Sequence, residues 1–439
     1  MARTIRSLLC VLGCFAAGCG TSSTAADPPP TPSPAAVSDW PMYSHDPARS
    51  SRNPFETSLT VGQVPALAAR WQAHVGVGPL PPSCSPAVAG GRVFACSSRA
   101  DGDNFFAFDA RTGALLWSAD LGRPEAGSVG IGASPAVADG IVVAGGADGA
   151  YYGLDAATGA LRWRHALDSG PRDFAWASPL VSGGFVWIGV SSEGEPPGRG
   201  EVRLLELETG TLLASLPMVP DGQRGGDVWN SPALTPDSST LVVTTGNDFG
   251  GFDGPLTRAV VALDPMTLSV VASRQEAVAD LDLDFGTTPV TLAAGGRTMV
   301  AALNKNGILY AYDLARLAAG AIWQRQEGLA IGLPPAFDGN SGTLWFAGDN
   351  GQLFAVDAQT GANRFEPAAV GFMNGNVALA GDLVFAPSGG RVVVVEAATG
   401  RILRIITPDG AGPSYSGVAV AAGRIYWLSG EYLNAWGTS

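Results

Sequence analysis

The sequence predicts an all-β protein: an eight-bladed β-propeller of four-stranded antiparallel blades whose ring is closed by an N-terminal strand. Three observations predict it. A unit of about 46 residues recurs along the chain, each unit alternates short apolar runs with glycine turns, and the composition is that of turns and strands. The 439 residues include 59 glycines and 32 prolines, and only 15% are charged, which argues against long helices.

The chain begins with a different kind of segment. Arg3 and Arg6 precede an apolar stretch at residues 8–17 that is too short to cross a bilayer and has the tripartite form of an export signal. Ala16-Ala17-Gly18-Cys19 resembles a bacterial lipobox, with Ala16 where leucine is usual, and makes Cys19 the expected lipidation site. The alternative is an ordinary cleaved signal with Cys19 as a passenger. Gly20 is not the aspartate that retains lipoproteins at an inner membrane. Residues 1–18 are therefore expected to be a lipoprotein signal peptide. Residues 19–39, rich in Pro, Ser and Thr, should be a disordered tether, and residues 40–439 the propeller. The expectation is an exported protein, lipid-anchored in the bacterial envelope at the outer membrane or facing the periplasm, and touching membrane only through that anchor.

Within the folded part, each unit opens with Ser-Pro or Thr-Pro: Ser85-Pro86, Ser134-Pro135, Ser178-Pro179, Ser231-Pro232 and Thr288-Pro289, with degenerate copies near Pro334, Asn376 and Ser416. It closes with an acidic residue and a Thr-Gly turn: Asp109 to Gly113, Asp155 to Gly159, Glu206 to Gly210, Asp357 to Gly361 and Glu396 to Gly400. The copies at Asp264 and Asp313 lack the glycine, and Asn434 takes the place in the last. The seven intervals from Asp109 to Asn434 average about 46 residues, the spacing of a four-stranded blade, so eight copies mean eight blades. Trp117, Trp163 and Trp323 follow the turn and should wedge between blades. Ala214, Ala272, Phe365 and Arg404 stand there in other copies, so those interfaces should pack differently. The last unit lacks room for a fourth strand, whereas Arg70-Trp71-Gln72-Ala73-His74-Val75 reads as an orphan outer strand. Pairing the two closes the ring and removes an exposed sheet edge.

Cys84 and Cys96 flank the Gly90-Gly91 turn nearly symmetrically, which suits a structural disulfide across a hairpin in an exported compartment. A net charge of −13 would repel a polyanion, which excludes a nucleic-acid partner. His45, His74 and His165 form no metal spacing, and no serine elbow, phosphate loop or dinucleotide fingerprint is present.

The Ala-x-Asp-x-x-Thr-Gly-x-x-x-Trp unit resembles the propeller of the quinoprotein alcohol dehydrogenases over residues 40–436, and four segments are similar to that family's cofactor site. Trp229-Asn230-Ser231-Pro232 followed by Thr245-Gly246-Asn247 matches the pairing of a tryptophan under the quinone plane with an asparagine on the metal. Asp282-Leu283-Asp284 looks like the family's Asp-x-Asp strand. The resemblance implies Asp282 as catalytic base and Asp284 as second acid, at the cofactor and in the metal shell, although Leu281 replaces the usual tryptophan and leaves the two exchangeable. Asn304-Lys305-Asn306-Gly307 resembles the turn whose cation contacts the quinone oxygens and the base. Glu193, with Glu195 as competitor, lies where the family places its metal-binding glutamate.

The resemblance implies pyrroloquinoline quinone (PQQ) with calcium or a lanthanide, and a small or polymeric alcohol as substrate. The short frame and the Trp40-Pro41-Met42-Tyr43-Ser44-His45-Asp46 opening look most like the polyvinyl alcohol dehydrogenases. Cys-x-x-Cys-His is absent, so electrons would leave to a separate acceptor such as a cytochrome c. The same blades also build envelope scaffolds that bind proteins and no cofactor, which is the alternative reading.

Overall fold

In a computed structural model of the protein, the described residues are 38–438 apart from 79, 100, 124–129, 169–172, 193–197, 250–253, 277–281, 327, 329–332, 349 and 374. Short alternating runs separated by glycine turns become eight antiparallel meanders arranged as blades. Blade 1 is Ala87–Ala89, Arg92–Cys96, Phe105–Asp109 and Leu115–Ala119, counted from the axis outward, and blades 2 to 7 repeat it. Blade 8 takes Ala419–Ala421, Arg424–Ser429 and Tyr432–Gly437 from the C-terminal end of the chain and its outer strand, Ala68–His74, from the N-terminal side. The closing pairs run from Ala68 opposite Gly437 to His74 opposite Tyr432. Cys84 and Cys96, the second at the end of a blade 1 strand, are bonded and fully buried. Among the described residues no helix is long and apolar enough to cross a membrane.

The repeated motifs each have a physical task. In the closing turn the acidic side chain folds back on its own backbone: Asp155 Oδ1 accepts from the N–H of Ala157 at 3.1 Å and from the N–H and Oγ1–H of Thr158 at 3.0 and 2.9 Å. The glycine and the tryptophan of the repeat meet across the blade boundary. Trp71, Trp117, Trp163 and Trp323 donate their indole N–H to Ala110, Ala156, Leu207 and Ala358 of the next blade. Each ring then covers that blade's Thr-Gly glycine.

A Cβ at Gly210 would lie 2.5 Å from the Trp163 ring, and the residue has φ +68°. Gly210→Ala is expected to cost about 2–4 kcal/mol, overpacking plus left-handed strain, in urea unfolding. Gly183→Ala, with φ +60° and open space around it, should cost only about 1 kcal/mol. Where tryptophan is missing the packing does differ. Trp187, from inside blade 3, supplies the indole N–H to Pro265 O of blade 4, and Arg404 donates to Val64 O and Leu67 O.

The Ser-Pro openings are linked around the axis. The N–H of Ser85, Ser134, Ser178 and Ser231 donates to the hydroxyl of the next opening residue at 2.8–2.9 Å, ending on Thr288, and Gly417 N–H of blade 8 donates to Ser85 Oγ at 2.8 Å. Each hydroxyl thus satisfies a buried backbone donor of its neighbour, which explains why this position holds Ser or Thr.

Residues 38–53 add an element the repeat does not contain, a strap that bonds to the inner strands of seven blades and to the Ser-Pro opening of blade 3. Trp40 exchanges two backbone bonds with Val88, and Pro41, Pro47, Ala48, Ser50 and Ser51 accept from Val137, Leu234, Thr291, Phe337 and Leu379. Arg49 reaches Ser178 O and Pro179 O of blade 3, and the Asn53 amide reaches Val420 O of blade 8.

Candidate functional site

The segments that run into the inner strands of blades 3, 4 and 5 meet around a cavity of about 280 Å³, lined by Trp176, Ser191, Ser192, Asp227, Trp229, Asn247, Asp284 and Lys305. That volume lies just under the ~300–1,000 Å³ usual for small-molecule pockets. Trp229 stands two residues before Ser231-Pro232, and Asn247 follows Leu241–Thr244 of the same blade. Asp284 precedes Phe285, which bridges to Asn304. Lys305 sits at the tip of the hairpin joining Arg297–Leu303 to Ile308–Asp313. That tip is shaped by its asparagines: Asn304 Oδ1 accepts from Asn306 N–H, and Asn306 Oδ1 from Ile308 N–H, each at 2.9 Å.

Five of the residues singled out in the sequence form one polar network. Lys305 Nζ lies 2.6 Å from Asp282 Oδ1 and 2.7 Å from Asp284 Oδ1, and 5.2 Å above the centre of the Trp229 ring. Its own backbone N–H donates to Asp284 O at 2.9 Å, so the side chain and the acid it pairs with share one anchor. Trp229 Nε1 donates to Asp284 Oδ2 at 3.1 Å, and Asn247 Nδ2 to Asp282 Oδ1 at 3.0 Å.

The two acids differ in setting. Asp284 is 3% exposed and lines the cavity, whereas the Asp282 side chain is 71% exposed at the rim. Burial pushes the Asp284 carboxyl above its usual range, against the opposing pull of Lys305. At Asp282 the burial effect is outweighed by the Lys305 hydrogen bond and charge and by the Asn247 amide, which hold the carboxyl below its usual range. Lys305 loses to burial but gains more from the two carboxylates, so its ammonium is held charged.

Sequence reasoning missed four cavity residues, Ser191 and Ser192 and the two larger side chains Trp176 and Asp227. Trp176 occupies in blade 3 the position that Trp229 occupies in blade 4, two residues before a Ser-Pro, so alignment of the repeats would have found it. Its ring fits because residue 132 is glycine: a Cβ there would lie 3.2 Å from Trp176 Cδ1. Asp227 stands two residues before Trp229. Desolvation pushes its carboxyl up to about 7, with Ser192 pulling the other way. Glu193, Glu195 and Cys19 lie outside the described residues.

The donor set can be tested against a cation and a flat quinone. Asn247 Oδ1 is buried with no hydrogen-bond donor among the described residues, in a residue whose amide nitrogen is already committed to Asp282, and so could serve as a neutral oxygen ligand. Asp284 adds an anionic oxygen and Trp229 an aromatic face in the same cavity. These residues fit the pair. Among the described residues no three histidine, cysteine or carboxylate side chains form a metal-holding group, so the asparagine oxygen and the glutamates of residues 193–197 would have to complete the shell.

Fold and cavity together define a propeller with an acidic and aromatic pocket set at the ends of its inner strands. The chain belongs to a family of PQQ-type repeat propellers: the family model described as outer membrane protein assembly factor BamB matches residues 68–315 and 305–404. It is 24% identical over 312 residues to a polyvinylalcohol dehydrogenase of Pseudomonas sp, a match over 61% of this chain and 47% of that protein. The chain thus spans about half the length of this curated relative.

Among solved structures it is similar to a europium-containing methanol dehydrogenase, with a TM-score of 0.75 and 16% identity over 91% of this chain and 98% of that one. The quinohemoprotein alcohol dehydrogenase from Comamonas testosteroni gives 0.72 and 19% over 91% and 80%, and BamB from Moraxella catarrhalis 0.59 and 18% over 84% and 99%. At such identities these likenesses show the fold.

Proposed function

We propose that the protein is a PQQ-dependent alcohol dehydrogenase of the bacterial envelope. The observation that carries this reading is Lys305, whose ammonium bridges Asp282 and Asp284 above the Trp229 ring in the wall of the cavity. Trp229 would form the floor for the flat cofactor. Asn247 and Asp284, with Glu193 or Glu195, hold the calcium or lanthanide ion. Asp282, kept ionised by Lys305 and oriented by the Asn247 amide, takes the proton of the substrate hydroxyl on its carboxylate. Lys305, held charged by the two carboxylates, would stabilise negative charge on a bound quinone. When bound, the quinone would supply the two-electron acceptor for the carbinol hydride, with a separate carrier such as a cytochrome c as the onward acceptor. The substrate is a small or polymeric alcohol, and Cys19 carries the anchor that holds the enzyme at the envelope.

The test is titration of the full chain with PQQ and calcium, followed by tryptophan fluorescence and calorimetry. Saturable binding at one site, weakened at least about tenfold by Asn247→Ala, is expected. No binding with calcium or with a lanthanide overturns the reading. A second reading, a scaffold that binds envelope proteins, is favoured by apolar residues exposed on the outer strands of successive blades, among them Leu115, Leu161, Leu213 and Val271, and it would then take precedence.

A further inference from the structure

We propose that Asp227 is an additional member of the cation shell, and that it biases this chain toward a trivalent over a divalent ion. The inference rests on the reading that a cation is held beside Asn247 and Asp284, and it concerns a residue that neither the repeat nor the family resemblance singles out.

Asp227 lines the same cavity as Asn247 and Asp284. Its backbone is interlocked with that of Asn247: Gly246 N–H donates to Asp227 O and Gly226 N–H to Asn247 O, each at 2.7 Å. A Cβ at Gly246 would lie 3.1 Å from Asp227 Cβ, so the glycine lets the two segments close and holds both side chains in one frame.

The carboxylate divides its tasks. Oδ1 accepts from Ser192 N–H at 3.1 Å and Ser192 Oγ–H at 3.2 Å, while Ser192 Oγ accepts from Gly198 N–H at 2.6 Å. Asp227 therefore clamps the residues on either side of 193–197, the segment that carries Glu193 and Glu195. Oδ2 accepts no hydrogen bond from the described residues. The clamp alone needs only one acceptor oxygen, which an asparagine would supply without the cost of a buried charge.

Charge points the same way. Lys305 is the one Lys or Arg among the described residues lining the cavity, and it is already engaged by Asp282 and Asp284. Among the described residues Asp227 thus has no cation of its own in the cavity wall, and beside it Asn247 Oδ1 is a buried acceptor with no donor. A hard cation of six to eight oxygen ligands answers both. Each added carboxylate attracts an ion of charge +3 about one and a half times as strongly as one of charge +2 at the same distance, so a further acid in the shell shifts the preference toward the trivalent ion.

The experiment uses the full chain and Tb³⁺ alone, whose luminescence is sensitised by nearby indoles such as Trp176 and Trp229, with Ca²⁺ as the displacing ion. Asp227→Asn keeps the Ser192 bonds through its amide oxygen and is expected to bind Tb³⁺ about tenfold or more weakly, with a loss of only about threefold for Ca²⁺. Asp227→Ala should lose at least as much, and Asp227→Glu, which keeps the charge, should retain most of the Tb³⁺ affinity, with circular dichroism reporting the fold of each. Tb³⁺ affinity within about twofold of wild type in Asp227→Asn or Asp227→Ala overturns the inference, as does absence of Tb³⁺ binding to wild type or an equal loss for both ions. PQQ binding in calcium is scored separately. Wild type that binds Tb³⁺ through Asp227 but takes up no PQQ sinks the proposed dehydrogenase and leaves this inference standing, and PQQ uptake with Asp227-independent Tb³⁺ binding does the reverse.

Discussion

Replacing Arg49 with methionine lowers the unfolding free energy by about 3–5 kcal/mol. Arg49 is fully buried, and its guanidinium spends its donors on backbone carbonyls alone: Nε to Pro232 O at 2.8 Å, Nη1 to Tyr43 O at 2.7 Å, and Nη2 to Ser178 O and Pro179 O at 3.2 Å each. These carbonyls belong to the strap and to the first residues of blades 3 and 4, so one planar cation ties the strap to two blades.

Methionine fills much of the volume but leaves up to four carbonyl oxygens without a donor, each costing about 1–3 kcal/mol where water cannot replace it. The gain from no longer burying a charge offsets part of this. That gain is real, because burial pushes the Arg49 guanidinium down to about 10, against the charges of Tyr43 and Asp46. Arg49→Lys keeps a charge but not the planar fork, and is expected to recover less than half of the loss. Urea midpoints of the three proteins decide the matter. A methionine variant within about 1 kcal/mol of wild type would show that the strap holds through its backbone bonds alone.

That strap was the part of the fold least legible in the sequence, and the reason is physical. Blades announce themselves by repetition, since each must bury the same two faces and turn the same corners. Hence Asp155, Thr158 and Gly159 recur as a set, and Trp163 answers Gly210 one blade on. The strap makes mostly backbone hydrogen bonds to strands that differ from one another, and such bonds leave no period. Its local signals, Pro41, Pro47 and four non-glycine residues with φ between 54° and 74°, read as loop. Ring closure was legible because Trp71 carries the outer-strand signature, an indole seeking the Ala110 carbonyl and the space over Gly113.

At the site, Trp229, Asn247, Asp284 and Lys305 were visible through their resemblance to a known pattern, and the structure brings them to one cavity. Asp227 was not, because a lone aspartate before a strand is indistinguishable from a turn residue until Ser192 and Gly246 are folded against it.

Asp282→Asn abolishes alcohol-dependent dye reduction, by about 10²–10⁴-fold, while PQQ and calcium affinity change by less than about threefold. The separation follows from the different settings of the two acids. Asp282 stands at the rim, 71% exposed, where the proposed reaction needs the substrate hydroxyl, and Lys305 and Asn247 hold its carboxylate ionised and oriented. An asparagine there keeps the shape and a hydrogen-bonding oxygen but has no basic site for the proton. Asp284 lies in the cavity wall, bonded to Trp229 Nε1 and paired with Lys305, so Asp284→Asn is expected to weaken cation and quinone binding by at least about tenfold and to lose activity in consequence.

Turnover with saturating PQQ and calcium, beside the binding titrations, separates the two effects. Loss of binding in Asp282→Asn with retained binding and lost turnover in Asp284→Asn exchanges the roles of base and ligand and keeps the dehydrogenase. Full activity in both variants removes proton transfer from this pair and with it the chemical basis of the proposed function.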